Sequence, residues 1–410
     1  MLNETAKKLN GISAETEKAA PAKWPVFTRF YAGDMKNKLS AVIKALAPEG
    51  TVCVVFTEET FSAKGREIAD FIRTLGCKIE TAVFKTGFRS VEDAGLALKK
   101  AEDARCVLAF DTELLGFAAY VAMVAKIPCV IAPLSFGYED IVCSMTVLKN
   151  GNGFDRVKTR VPRYVVLDEK SVSGCNVAAA FASVIARLPD FTDYRIACAV
   201  KKYDPDKRAY SLMKEAVSSA FGIFTQSVTC RAEKILEYKF AAELANVASG
   251  GRLCDYSSVK NTSFLCLVKG AKKESVSPSI FRRVMGLYDL CCSGEYDDLL
   301  EIPDYLARAD FLSGLTGNED KPFLAGIKTQ CDIFSENVRA VNKTKNSLKA
   351  EIEVQNDACE KAVRTFYALG GKDFADKKLI DTMVKYSGDI PDSFNGMTVV
   401  REYGIAEYLR

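Results

Sequence analysis

The four residues Phe110-Asp111-Thr112-Glu113 stand where a chain of this kind would handle phosphate. They follow the apolar run Cys106-Val107-Leu108-Ala109 and precede an apolar helix that runs on to Tyr120. A turn from strand to helix presents backbone N–H groups at a helix N-terminus, where nucleotide phosphates commonly sit. Such a turn needs glycine so that the backbone can approach a pyrophosphate. This one carries two carboxylates, Asp111 and Glu113, where an anion would go. Capping of the following helix is the plain reading of Asp111 and Thr112, and cation binding is the alternative. Glu139 and Asp140 form a second acidic pair, fit for general acid/base work in a cleft and equally for a solvated loop. Glu139 is the candidate catalytic residue. Lys158 and Arg160 suit a phosphate clamp or an exposed strand edge. Gly250-Gly251-Arg252 offers either an arginine fork for an anion or a helix stop with a surface arginine.

Histidine is absent from all 410 residues. It is the commonest metal ligand and the usual acid or base near neutral pH. Metal sites with a histidine ligand, Ser-His-Asp triads and Cys-His dyads are therefore excluded. The 14 cysteines are scattered singly apart from Cys291-Cys292, with no CxxC pair. Many stand in apolar stretches, among them Cys53, Cys106, Cys129, Cys198 and Cys266, as expected of buried free thiols in a reducing compartment. Cys143 and the Cys291-Cys292 pair are the thiols with any claim to reactivity.

The elements that would position these groups alternate strand and helix. Residues 1–23 form a polar arm or frayed helix, with Trp24 as its anchor on the body. A helix is expected over 35–47, then a strand over 52–56. Its run Val52-Cys53-Val54-Val55-Phe56 is continuously apolar, as in a strand covered on both faces. A helix follows over 61–75, closed by Gly76. Strands at 79–84, 105–110 and 129–132 alternate with helices at 91–102 and 114–126, which implies right-handed crossovers and a parallel sheet. A strand at 142–148, a turn at 149–153 and a return strand at 160–167 read as a hairpin. From residue 174 on the pattern is helical, over 178–188, 195–200, 210–225, 231–249, 280–290, 337–369 and 376–387. The domain division placed on this pattern is an arm 1–23, a nucleotide-binding-like α/β domain 24–172 and a helical domain 173–410.

A hydrophobic fraction of 48% and a charged fraction of 27% are those of a globular protein, and a net charge of +3 gives no reason to expect nucleic acid. No apolar run reaches the ~18 residues of a membrane span. The N-terminus lacks the apolar core of a secretory signal, so the expected location is the cytoplasm.

The run Ile131-Ala-Pro-Leu-Ser-Phe-Gly-Tyr-Glu-Asp-Ile-Val-Cys-Ser144 resembles the VPT-x-x-SHDG-x-x-S segment of the sn-glycerol-1-phosphate dehydrogenases. These are relatives of the iron-type alcohol dehydrogenases and the dehydroquinate synthases. Lys158-Thr-Arg-Val-Pro162 with Val165-Val-Leu-Asp168 is similar to the family's K-x-[KR]-x-P…D segment, and Asp193-Tyr194-Arg195-Ile196-Ala197 to its D-W-[KR]-L-A. Ser249-Gly-Gly-Arg252 falls at its S-S-R-P. The resemblance runs over residues 24–410 and implies a Rossmann-like parallel sheet followed by an all-α domain, the dehydroquinate synthase-like fold, in a homodimer. It implies reduction of dihydroxyacetone phosphate by NADH or NADPH, with a divalent metal polarising the carbonyl.

Carried over residue by residue, that chemistry is not kept. The phosphate-binding glycines fall on Asp111, Thr112 and the neighbouring Phe110, and a serine falls on Glu113. The metal aspartate falls on Ser183, the first metal histidine on Val259 and the second on Ser275. A substrate-side histidine falls on Ser263. Valine is no ligand, and serine hydroxyls hold a divalent metal weakly. The aspartate of SHDG falls on Glu139, its histidine on Tyr138, and a nucleotide-side serine on Cys143. Leu134, Ser135 and Lys158 are the other remnant cofactor-side positions. The resemblance leaves NAD(P) and a small anionic ligand open, and a divalent metal is not expected. The leading reading is a catalytically degenerate relative. The alternatives are an active NAD(P)-dependent oxidoreductase of a small carbonyl phosphate, and a metal-independent enzyme on the same scaffold using Glu139 or Cys143.

Overall fold

A computed structural model describes residues 2–19, 27–137, 141–151, 153–173, 176–202, 204, 206–223, 228–268, 276, 280 and 361–372. The strands among them are β1 Arg29–Ala32, β2 Thr51–Thr57, β3 Lys78–Phe84, β4 Arg89–Ser90, β5 Ala104–Ala109, β6 Cys129–Ile131, β7 Met145–Asn150, β8 Gly153–Lys158 and β9 Tyr164–Leu167. Chain contacts divide the molecule into two units, Met1–Val184 with Asp206–Gly251, and Ile185–Pro205 with Arg252–Arg410.

The first unit is built on a six-stranded sheet in the order β1-β9-β6-β5-β2-β3. Every pair in it is parallel. The chain leaves β2 for β3 on one side and returns to β5 on the other, so the strand order reverses between β2 and β5. Ligands of open α/β sheets bind beyond the carboxyl ends of the strands at such a reversal.

β2 is paired on both sides, by β5 and β3, and its residues from Val52 to Phe56 have no exposed surface. Val52, Val54 and Phe56 join Cys106, Leu108, Phe110, Val130 and Val166 in one core face. That face is covered by Leu39, Val42 and Ile43 of the helix Met35–Leu46, and by Ile68 and Ile72 of the helix Arg66–Thr74. The helices Val91–Ala101 and Leu115–Val124 cover the opposite face, where Phe84 and Phe117 meet edge to face at 5.3 Å. Capping is local. Asp34 accepts from the Asn37 N–H, Ser90 and Asp93 form a reciprocal capping box, and Gly76 closes its helix at φ +82°.

Four features differ from the sequence expectation. Residues 2–19 form a docked helix, because Leu2, Ala6, Leu9, Ser13 and Thr16 recur at helical spacing and are all buried. On that helix Asn10 receives the Phe30 N–H at 2.8 Å and donates its amide to the Phe30 carbonyl at 3.0 Å, closing the outer edge of β1. β1 itself is a strand that sequence reading passed over, being only four residues long. The expected helix over 61–75 starts at Glu58 and contains a π-turn at Phe61–Gly65. The hairpin returns as β8, turning at Gly151 with φ +56°, while Tyr164–Leu167 joins the large sheet between β6 and β1. Pro162 has no N–H for a ladder and separates the two strands.

The second unit contains the helices Asp190–Lys201, Arg252–Tyr256 and Ser258–Val268. The Ser257 hydroxyl donates to the buried Asp190 carboxylate and receives the Lys260 N–H at 3.0 Å, starting the third of these helices. The helix expected at 337–369 is seen over 361–368. The helices expected at 376–387 and, beyond Ile280, at 280–290 lie outside the described residues, as do Trp24, Cys291 and Cys292. No helix among the described residues is long and apolar enough to cross a membrane.

Burial raises the thiols of Cys53, Cys106 and Cys266 to about 12. A pKa raised on folding adds stability that is complete below the unfolded value and is lost as pH climbs through the folded one. Unfolding free energy is therefore expected to fall between about pH 9 and pH 12, read by denaturant titrations across that window. Native protein at about pH 8 should leave these thiols unmodified by a maleimide, with mass spectrometry as the readout.

Candidate functional site

The register that pairs Val55 with Ala109 brings residue 111 level with residue 57 at the strand reversal. There the Asp111 carboxylate does not cap its own helix. It accepts the Thr57 backbone N–H at 2.9 Å through one oxygen and the Thr60 hydroxyl through the other. The Thr57 hydroxyl in turn accepts the Thr60 N–H at 3.2 Å. Capping thus operates across the reversal, from the turn after β5 onto the turn after β2. Thr112 opens a short 3-10 turn, and Glu113 is exposed beside it, as are Glu58 and Glu59 on the facing turn.

A second cluster holds the segment between β6 and β7. Phe110 O receives the Leu134 N–H at 3.1 Å, Ser135 is exposed and Phe136 is buried. The Cys143 thiol donates to the Met145 carbonyl at 2.6 Å. Ser144 donates both its N–H, at 2.8 Å, and its hydroxyl to the Glu243 carboxylate, and the Asn246 amide donates to the Ser144 oxygen at 3.1 Å. Glu243 and Asn246 belong to the helix Val228–Ala248 and are 2% and 1% exposed. One turn earlier, Lys239 of the same helix donates to the Gly137 carbonyl at 3.4 Å. This helix is expected from the sequence, but its polar stripe is not. The signal was there in the spacing 239, 243 and 246, three polar residues on one face among Ile235, Phe240, Ala242 and Ala245.

Lys158 lies beside this cluster. Ser144, Lys158, Thr159, Asn246, Gly250 and Gly251 line one small pocket, and none of Asp111, Thr112 or Glu113 does. The Lys158 ammonium donates to the Gly250 carbonyl at 2.9 Å, so a cation serves the C-terminal end of the helix that closes there. Gly250 and Gly251 both have positive φ, at +70° and +90°, and their N–H groups return to Val247 and Asn246. A Cβ on Gly251 would stand 2.7 Å from the Lys158 side chain. Gly251→Ala is accordingly expected to cost about 1–3 kcal/mol in urea unfolding. Arg160 and Arg252 are exposed, and Tyr138, Glu139 and Asp140 lie outside the described residues.

No protein-family model and no curated protein sequence matches the chain. Solved structures do. An iron-containing alcohol dehydrogenase aligns with a TM-score of 0.56 at 14% identity, over 93% of this chain and 97% of its own. The iron-containing alcohol dehydrogenase of Thermotoga maritima aligns at 0.54 and 13% identity, over 93% and 98%. Glycerol dehydrogenase from Schizosaccharomyces pombe aligns at 0.53 and 12% identity, over 93% and 90%. The chain has the iron-containing alcohol dehydrogenase fold. The likeness extends over almost the full length of each, and it is one of fold.

Of the positions that the sequence resemblance gives to the metal, the two described, Ser183 and Val259, do not suit one. Ser183 is 5% exposed and its hydroxyl donates to the Ala180 carbonyl at 2.7 Å, back into its own helix. Val259, in the second unit, is fully buried. Ser275 lies outside the described residues. Ser263 is buried with its hydroxyl unpaired. No group of three His, Cys, Asp or Glu side chains able to hold a metal occurs among the described residues. The turn after β2 fits a nucleotide phosphate no better, since the Asp111 carboxylate already takes its Thr57 N–H and Thr60 hydroxyl.

Proposed function

We propose that this chain is a cytoplasmic relative of the sn-glycerol-1-phosphate dehydrogenases that has given up metal-dependent hydride transfer and acts by binding, as a homodimer. One observation carries this reading. Where the resemblance calls for a metal-binding aspartate, Ser183 spends its hydroxyl on its own helix. A hydroxyl so engaged is a poor ligand, and the valine at the first histidine position is none. The dehydrogenase-like scaffold supports the kinship, and the exchange of ligand types supports the loss of the reaction. A small anionic ligand is the class of partner left by the resemblance.

The test follows NADH and NADPH oxidation with dihydroxyacetone phosphate, with and without added zinc or nickel. The expected result is no turnover in protein whose circular dichroism shows it folded. Metal-dependent turnover would overturn the proposal. Light scattering on the purified chain reads the oligomeric state, and a monomer at micromolar concentration would remove the homodimer from it.

A further inference from the structure

We infer that the Asp111 carboxylate is a resident anion that holds the strand reversal closed to dinucleotides. This deepens the proposed function, and it rests on that reading for the chain's loss of hydride transfer.

A pyrophosphate at such a reversal needs backbone N–H donors, room for close approach, and no negative charge nearby. Donors of the turn after β2 are taken. Thr57 N–H and the Thr60 hydroxyl go to Asp111, and Thr60 N–H goes to the Thr57 hydroxyl. The room is missing. The turn Thr57-Glu58-Glu59-Thr60 has no glycine, and the first one after β2, Gly65, is covered by the Phe61 ring, which would lie 2.6 Å from a Cβ there. The charge is wrong, with Glu58, Glu59 and Glu113 exposed around the same two turns. All three requirements fail at the turn after β2, and the carboxylate that meets its donors comes from the neighbouring turn. Asp111 therefore does inside the chain what a ligand phosphate does in a nucleotide-binding sheet. It ties the turn after β2 to the turn after β5.

Two measurements on the full chain test this. Calorimetric titration with NADH, NADPH and ADP is expected to give no saturable heat up to millimolar nucleotide. Hydrogen exchange read by mass spectrometry is expected to show a protected Thr57 amide, and Asp111→Ala, which offers no acceptor, should lose that protection. Saturable nucleotide binding by the wild-type chain overturns the inference. So does Thr57 protection that is unchanged in a folded Asp111→Ala. If that variant does not fold, the wild-type titration still decides. Binding without turnover overturns this inference and leaves the loss of hydride transfer standing, whereas metal-dependent turnover overturns the proposed function itself.

Discussion

Phe56→Ala is expected to destabilise the first unit by about 3–5 kcal/mol. Phe56 ends the apolar run of β2 and has no exposed surface. Its ring stacks on Phe110 at 6.1 Å between centroids, with 8° between planes, and meets Phe61 at 5.7 Å. The three rings come from β2, from the turn after β5 and from the π-turn, so one side chain welds both sides of the strand reversal. Truncation leaves a cavity that strands paired on either side of β2 cannot close. Phe56→Leu keeps most of the volume and should cost well under half as much. Chemical denaturation followed by circular dichroism measures both. A loss below about 1 kcal/mol for the alanine variant would mean that the reversal is not packed as described.

Glu243→Leu is the second large effect, at about 2–6 kcal/mol for two unsatisfied buried donors. The carboxylate satisfies two donors of Ser144, and the residue is 2% exposed. Leucine fills similar space but leaves the Ser144 N–H and hydroxyl without their acceptor in a buried place, which costs more than the bonds contributed. Glu243→Gln keeps an acceptor oxygen and should cost about 1–2 kcal/mol. The same pair of variants separates two origins of the loss. If the polar stripe tethers the segment between β6 and β7, peptides spanning 141–146 exchange faster in Glu243→Leu than in Glu243→Gln, at denaturant concentrations where β2 remains protected. Equal exchange in the two variants would assign the effect to the helix alone.

The alternation of strands and helices was legible because short apolar runs such as that of β2 carry their own evidence of burial. So was the hairpin turn, through the glycines around Gly151. β1 was not, since four residues of mixed character become a strand only by lying against β9. The site is less legible for a related reason. Asp111 was visible as an acid in a phosphate-type turn, but its partner Thr57 is 54 residues earlier, and only the strand order brings them together. Ser144 and Glu243 are 99 residues apart in the same way. Local pattern identifies a polar group that must be satisfied; topology decides by what. Lys158 makes the same point in reverse, a cation readable as a phosphate clamp whose partner is a backbone carbonyl at a helix end.

The amide of Asn10 gives Phe30 one acceptor and one donor in the places where a further strand would supply them. An edge strand is adhesive because its outward N–H and C=O groups will pair with any extended chain that arrives. Here the N-terminal helix imitates that arrival with a single side chain and ends the sheet there. Proteolysis within residues 2–19 would therefore do more than shorten the chain. It would uncover a template, and molecules nicked at that point would recruit one another by strand addition while the core beneath them stayed folded.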